Sequence, residues 1–214
     1  MAPEQRDWVA WHTPYDEPGS NLERRLRWVQ RRIRQFLDDA KLGRIRVLSL
    51  CAGQGRDLLE VLADHPRGAD VTGRLVELDE TNAARARAAA AGAGLDALEV
   101  VQADASNTAA FAGAVPADLL LVCGVYGNIS DPDVANTVRH LPELCAPNAT
   151  TIWTRHRKDP DLTPAIRQWY VDAGFEELTF DTDEGFLFGV GTYHLTAPPL
   201  PYVPGRQLFD FVGH

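Results

Sequence analysis

A strand that ends in a turn of small residues and continues as a helix constrains the fold of this chain most. Val47–Leu50 is an apolar run, Cys51–Gly55 consists mostly of small residues, and a helical pattern starts at Asp57. A second apolar run, Val71–Leu78, carries an acid near its end at Glu77. In open α/β sheets, ligands bind outside the carboxyl ends of the strands. The two runs therefore predict an α/β protein with a ligand site after its first two strands.

Strand and helix signals alternate along most of the chain. A first helix opens on a capping box at Ser20–Glu23 and ends before Gly43. The predicted strands that follow are Arg46–Leu50, Val71–Leu78, Leu98–Gln102, Asp118–Cys123 and Thr150–Thr154. The predicted helices are Asp57–Ala63, Thr81–Ala91, Ser106–Ala112, Asp131–Leu144 and Thr163–Ala173. Such alternation predicts a mostly parallel sheet with helices on both faces.

The pattern changes near the end of the chain, where two strands are separated only by a short turn. Phe175–Phe180 and Phe186–Leu195 leave no room for a helix, so we expect them to pair antiparallel. The expected fold class is α/β, a Rossmann-like three-layer sandwich with a seven-stranded, mostly parallel sheet and an antiparallel C-terminal hairpin. Within one globular domain, we expect a lid segment and helix at 1–43, a core at 44–196, and a proline-rich tail at 197–214.

Composition restricts the class of protein and its partners. A net charge of -9 argues against a general nucleic-acid-binding protein, which presents a basic surface. No apolar run is long enough to span a bilayer, and the first residues lack the apolar segment of a signal peptide. The three cysteines are an odd number, and Cys51 and Cys123 end apolar runs, which predicts reduced thiols in a cytoplasmic protein. No cysteine and histidine cluster has zinc-site spacing, so we expect no metal.

Arginine is concentrated on the first predicted helix. Its arginines are Arg24, Arg25, Arg27, Arg31, Arg32 and Arg34. A basic helix can bind RNA or phosphate. Because the same helix has a clear apolar stripe, we expect most of these arginines to lie on its solvated face.

The chain resembles the class I S-adenosylmethionine-dependent methyltransferases over roughly residues 44–195. The first motif of that family is an acid followed by three glycines at alternate positions. Those positions hold Ser49, Cys51, Gly53 and Gly55 here. Two glycines match, whereas Ser49 replaces the acid and Cys51 replaces the first glycine. Asp57, which lies one helical turn further on, is a candidate to substitute for the missing acid.

The resemblance implies S-adenosyl-L-methionine as the cofactor and assigns roles to residues at four strand ends. Glu77 would accept hydrogen bonds from the ribose diol, with Asp79 as the weaker candidate, and Asp104 would accept one from the adenine amino group. The edge at Cys123 would lie beside the reactive methyl group. The predicted cofactor-binding residues are Cys51, Ala52, Gly53, Gly55, Asp57, Glu77, Leu78, Asp104, Ala105, Cys123 and Gly124.

Other interpretations of these residues stay open. Glycine pairs occur in many tight turns, Asp104 could cap a helix, and Glu77 could be solvated. An NAD-dependent oxidoreductase would need G-x-G-x-x-G, but counting from Gly53 puts Leu58 at the third glycine. A catalytically silent S-adenosylmethionine-binding or partner protein is the other alternative, which the replacements at Ser49 and Cys51 favour.

Three residues are candidates for work on the methyl acceptor. Tyr126 could form part of the wall of the cleft, and Asn128 could bind a polar acceptor. Gly127 and Asn128 also suit a simple turn. His156 has a pKa suited to acid–base work, and Arg155 or Arg157 beside it could meet a carboxylate. The alternative for this segment is a surface turn with solvated charges. The leader residues Trp8, Trp11, His12 and Tyr15 could cover the substrate cleft as a lid, or they could pack on the edge of the sheet.

The sequence therefore predicts an S-adenosylmethionine-dependent methyltransferase that acts on a small molecule by in-line transfer. We expect no nucleic-acid substrate and no membrane association. The tail could pack over a cleft edge or against another subunit, so a homodimer is a candidate assembly.

Overall fold

The computed structural model describes residues 13–182, 185 and 187–212, and it contains a seven-stranded sheet. The strands are β1 (Ile45–Leu50), β2 (Val71–Glu77), β3 (Leu98–Gln102), β4 (Ala117–Val122), β5 (Cys145–His156), β6 (Phe175–Asp181) and β7 (Phe188–Leu195). Their order across the sheet is β3-β2-β1-β4-β5-β7-β6. The first five strands run parallel, and β7 lies antiparallel between β5 and β6. This arrangement confirms the predicted fold class.

Helices cover both faces of the sheet. They are α1 (Asn21–Asp39), α2 (Arg56–Asp64), α3 (Glu80–Gly92), α4 (Asp131–His140) and α5 (Thr163–Asp172). The helices α1, α2 and α3 pack on one face, and α4 and α5 on the other. Within the described residues, no helix is long and apolar enough to cross a bilayer. The predicted lid residues Trp8, Trp11 and His12, the predicted strand start at Phe186 and the tail residue His214 lie outside the described residues.

Side-chain caps fix the starts of several helices. The Ser20 hydroxyl accepts from the Glu23 backbone N–H at 3.0 Å, as the capping box predicts. Asp79 accepts from the Asn82 N–H at 2.8 Å, and so it caps α3. These caps satisfy backbone donors that the first turn of a helix leaves without partners.

Two predicted helices are shorter in the structure. Of the predicted helix Ser106–Ala112, only a 3-10 turn at Thr108–Phe111 forms. The tail explains this difference, because Leu208 N–H donates to the Ser106 carbonyl at 2.7 Å and the Thr108 N–H donates to the tail. The helix predicted to reach Leu144 ends at His140, and a 3-10 turn follows it.

The tail is extended and packs over the edge of the cleft in its own chain. Leu208 and Phe209 are buried against the α4 face of the sheet. Isolated bridges pair Gln207 with Asn107 and Phe211 with Ile129. The tail therefore reaches the loops at the carboxyl ends of β3 and β4.

The arginines of α1 divide into two groups. Arg27 and Arg31 are exposed, as the apolar stripe predicts. The prediction of a solvated face is wrong for Arg25, which is buried, and for Arg32, whose guanidinium pairs with the buried Asp181 of β6. Long arginine side chains bury their stems readily, so helical periodicity alone does not fix their exposure.

Candidate functional site

A cavity of about 920 Å³ lies at the carboxyl ends of the parallel strands. Its walls come from the loops after β1 to β4, from α1 and from the tail. The structure places ten of the predicted cofactor-binding residues on this cavity: Cys51, Ala52, Gly53, Asp57, Glu77, Leu78, Asp104, Ala105, Cys123 and Gly124. Its size suits a small organic ligand.

The loop after β1 places three left-handed residues at alternate positions. Cys51, Gly53 and Gly55 have φ values of 50°, 57° and 69°. Gly55 does not line the cavity, and a Cβ atom there would lie 2.8 Å from side-chain atoms of Leu59 and Leu75. Gly55 therefore serves the packing of α2 on the sheet. Cys51 holds a backbone conformation that disfavours any side chain by roughly 1–2 kcal/mol.

Glu77 connects the first two loops of the site. One carboxylate oxygen accepts from the Gly53 N–H at 2.7 Å, and the other accepts from the Asp79 N–H at 2.9 Å. Burial raises the pKa of Glu77, although these two hydrogen bonds oppose that shift. A carboxylate has about four acceptor sites, so Glu77 can hold the loop and still accept from a ligand.

Asp104, Ala105 and Leu78 form another part of the wall. The Asp104 carboxylate accepts from the Ser106 N–H at 2.8 Å, so it caps the turn after β3 while lining the cavity. Leu78 is 58% exposed, and it presents its apolar side chain to the cavity. This region therefore combines an acceptor with apolar surface, as a heteroaromatic ring requires.

Asp57 supplies an acid to the same cavity that Ser49, the replacement for the motif acid, lines. Its carboxylate accepts from the Leu58 N–H at 2.9 Å in the first turn of α2. Burial raises the pKa of Asp57 to about 6, and Arg25 partly opposes this shift. A bound cation would stabilise the charged form of this carboxylate.

Two of the predicted acceptor-side residues have structural contacts. Tyr126 is fully buried, and its hydroxyl lies 2.8 Å from the Tyr170 hydroxyl in a group of aromatic rings. The Asn128 amide donates to the Gly124 carbonyl at 2.7 Å, which fixes the turn after β4. Neither residue lines the cavity.

His156 lies at the end of β5, opposite Phe188 of β7. It does not line the cavity either. Burial lowers the pKa of His156, and the charges of Arg155 and Lys158 lower it further. The structure therefore brings together the predicted cofactor residues but not the three predicted acceptor-side residues.

Several cavity residues escaped the sequence analysis. They are Arg25, Leu26, Val29, Gln54, Arg56, Asn82, Ser106, Asp210 and Phe211, whereas Tyr15, which also lines the cavity, is one of the predicted lid residues. One local pattern could have indicated some of them, namely Arg25 next to the apolar residues Leu26 and Val29 on the same helix. Asp210 and Phe211 reach the site through contacts with residues about 80 positions away, which no local pattern reports.

Comparisons with known proteins agree with this fold. A family model described as "Putative methyltransferase" matches residues 20–169. No curated protein sequence matches the chain.

Solved structures with similar folds have low sequence identity to this chain. Magnesium protoporphyrin IX methyltransferase from Synechocystis PCC 6803, solved with bound SAH, is 13% identical, with a TM-score of 0.65 over 88% of this chain and 94% of that one. An O-methyltransferase family protein from Burkholderia thailandensis is 17% identical, with a TM-score of 0.60 over 79% of this chain and 57% of that one. The cyclase SpnF is 14% identical, with a TM-score of 0.57 over 80% and 82%. Because the family model spans most of the chain and the fold agrees with it, this chain belongs to the class I methyltransferase family.

Proposed function

We propose that this protein is an S-adenosyl-L-methionine-dependent methyltransferase that acts on a small-molecule acceptor. The observation that carries the proposal is the position of Glu77, buried at the end of β2 and bonded to the backbone of Gly53. This pairing joins the glycine turn to a carboxylate that suits a ribose diol.

The polar and apolar residues that line the cavity suit the separate parts of such a cofactor. Asp104 and the apolar Leu78 suit the adenine ring, and Glu77 suits the ribose. Asp57 suits the ammonium group of the methionine part, since a half-buried carboxylate gains from a cation partner. The left-handed turn at Gly53 lets backbone approach the ligand without a side chain between them.

The cofactor supplies an activated methyl group on its sulfonium. The chain's own residues then have to orient the acceptor and exclude water, and such positioning can contribute about 7–11 kcal/mol. Leu26 and Val29 of α1 and Phe211 of the tail supply apolar surface to the cavity. Walls on these sides favour an acceptor that is small enough to be enclosed.

The dinucleotide alternative conflicts with the packing of α2. Leu58 stands where an NAD-binding motif needs its third glycine, and its side chain is fully buried between α2 and the sheet. A glycine at that position permits close helix–strand packing in dinucleotide-binding folds. The side chain of Leu58 therefore favours the methyltransferase assignment.

A methyl-transfer assay with a labelled methyl group tests the proposal. We expect label to reach a member of a small-molecule panel of phenols, carboxylic acids and amines, with formation of S-adenosylhomocysteine. Transfer only to RNA or DNA would contradict the proposed acceptor class.

A second candidate is an S-adenosylmethionine-binding protein that transfers no methyl group. The left-handed Cys51, in place of the motif glycine, is the observation that favours it. Tight binding of S-adenosylhomocysteine together with no labelled product across the small-molecule and nucleic-acid panels would favour this candidate.

A further inference from the structure

The C-terminal tail meets the cavity at Ser106, in the turn after β3. Ser106 is 3% exposed and lines the cavity. Its N–H donates to the Asp104 carboxylate at 2.8 Å, and its carbonyl accepts from the Leu208 N–H at 2.7 Å. Its hydroxyl accepts from the side-chain amide of Gln207 at 2.8 Å. Ser106 therefore joins the tail to the carboxylate that the proposed function sets beside the adenine ring.

The amide nitrogen of Gln207 is the point where these contacts meet. Besides the Ser106 hydroxyl, it lies 2.8 Å from the Phe209 carbonyl oxygen and 3.2 Å from a carboxylate oxygen of Asp210. Asp210 lines the cavity, whereas Gln207 is an exposed residue outside the cavity wall. One amide group thus holds a residue of the β3 turn and a residue of the tail, and both of these residues line the cavity.

Other hydrogen bonds anchor the tail on both sides of Gln207. The Thr108 N–H donates to the Arg206 carbonyl at 2.9 Å, and the Arg206 N–H donates to the Thr108 hydroxyl at 2.8 Å. On the other side, the carbonyl of the fully buried Leu208 accepts from the Asn136 amide of α4 at 2.8 Å. Because its neighbours are fixed independently, a change of the Gln207 side chain should not release the tail.

The Asp104 carboxylate can select a base only if it is held in one orientation. It accepts from Ser106 and, with about four acceptor sites, it can also accept from an exocyclic amino group. A ring carbonyl in place of that amino group would bring an acceptor against an acceptor. Binding groups keep their geometry through supporting hydrogen bonds, and for Asp104 these bonds run through Ser106 to the tail.

We propose that Gln207 is a positioning residue for base selection, which acts through Ser106 on Asp104 and holds Asp210 on the same wall. This inference rests on the proposed function, in which Asp104 accepts from the adenine amino group. Gln207 touches neither the base nor the reacting atoms. Its amide donors hold the β3 turn and the tail together, so the site favours a purine with a 6-amino group over one with a 6-oxo group.

The test compares two ligands by calorimetry. They are S-adenosylhomocysteine and S-inosylhomocysteine, which carries a 6-oxo group in place of the 6-amino group. We expect wild-type protein to prefer S-adenosylhomocysteine by about 10- to 100-fold, which is typical of hydrogen bonds to a charged group. Gln207→Glu keeps the size of the side chain but removes the amide donors, so this preference should fall about three- to tenfold. The loss should fall on the affinity for S-adenosylhomocysteine.

The matched control is Gln168→Glu. Gln168 is exposed on α5 and away from the cavity, and its amide donates to Asp172 at 2.8 Å, so the control makes the same change beside an aspartate. It should keep the full preference. Gln207→Ala removes the donors without adding a charge, and its preference should fall as well. Thermal unfolding checks that each variant is folded, and Gln207→Ala carries the test if Gln207→Glu does not fold.

Three results would overturn the role of Gln207. The first is a folded Gln207→Ala variant that keeps the wild-type preference. The second is a variant that weakens both ligands by the same factor, as a purely structural residue would. The third is wild-type protein that binds both ligands equally well. Wild-type protein that binds neither ligand would instead contradict the proposed function itself, so the two failures are distinguishable.

Discussion

At the scale of single residues, Glu77 organises the backbone beside the proposed ribose position. Its two oxygens accept from backbone N–H groups of Gly53 and Asp79, so it fixes the turn after β1 and the start of α3. The position of Glu77 at a strand end predicts ligand contact, but nothing local in the sequence indicates a bond across 24 residues to Gly53. The acid was predictable, and its role in shaping the glycine turn was not.

Glu77→Gln should therefore weaken cofactor binding and also reduce stability. The amide keeps one oxygen acceptor but points a donor at the second backbone N–H, which leaves a buried donor unsatisfied at a cost of about 1–3 kcal/mol. We expect the affinity for S-adenosylhomocysteine to fall at least tenfold. Calorimetry and urea unfolding measure the two effects.

Glu80→Gln is the control for that variant, since Glu80 lines the cavity but is exposed at the start of α3. It should change stability and affinity only slightly. Unchanged affinity in Glu77→Gln would contradict the assignment of Glu77 to the ribose.

Asp57 predicts a pH dependence of cofactor binding. An ammonium binds the charged carboxylate, and burial raises the pKa of Asp57 to about 6, so protonation removes the binding form below that pH. Affinity should be highest above pH 6 and fall by up to about tenfold per unit as the pH drops through 6 toward 5. Calorimetry from pH 5 to 8 at constant ionic strength measures this.

Asp57→Asn separates this effect from other titrations. The variant should bind more weakly at pH 7.5, and its affinity should vary less between pH 5 and 7. The same steep slope in both proteins would assign the pH dependence to another group.

At the scale of elements, the C-terminal tail is part of the domain. Leu208 is fully buried, its N–H donates to Ser106, and its carbonyl accepts from the Asn136 amide at 2.8 Å. The prolines of the tail predict an extended segment, which the structure confirms. Which surface the tail covers depends on contacts with residues far away in the sequence. The periodicity of the sequence does not encode such contacts.

Leu208→Ala should destabilise the protein by about 2–5 kcal/mol, because it leaves a cavity in a packed core. Val203→Ala, in the same tail but 40% exposed, should cost much less. Urea unfolding compares the two variants. Equal small losses would show that the tail does not pack as described.

Strand β5 shows where local patterns fail. It begins at Cys145, five residues before the predicted start at Thr150, and includes Pro147 and Asn148. Proline and a left-handed asparagine both argue against a strand, but pairing with β4 shifts register between Ala117 and Leu119. The irregular pairing accommodates residues that a regular ladder would exclude.

At the scale of the whole molecule, the cavity lies at the point in the sheet where the strand order reverses. β1 pairs with β2 on one side and with β4 on the other, so the loops after these strands diverge. Ligands bind at such switch points. The sequence predicted the number and directions of the strands, which follow from alternating patterns. It did not predict where α1 and the tail close the cavity, because that depends on long-range packing.

The most direct test of the central claim is a calorimetric titration of the wild-type protein with S-adenosylhomocysteine and, separately, with NAD. The presence of Asp57, Glu77 and Asp104 on the walls of one cavity predicts binding of S-adenosylhomocysteine in the micromolar range and no measurable binding of NAD. Binding of NAD, with no binding of S-adenosylhomocysteine below millimolar concentration, would contradict the account.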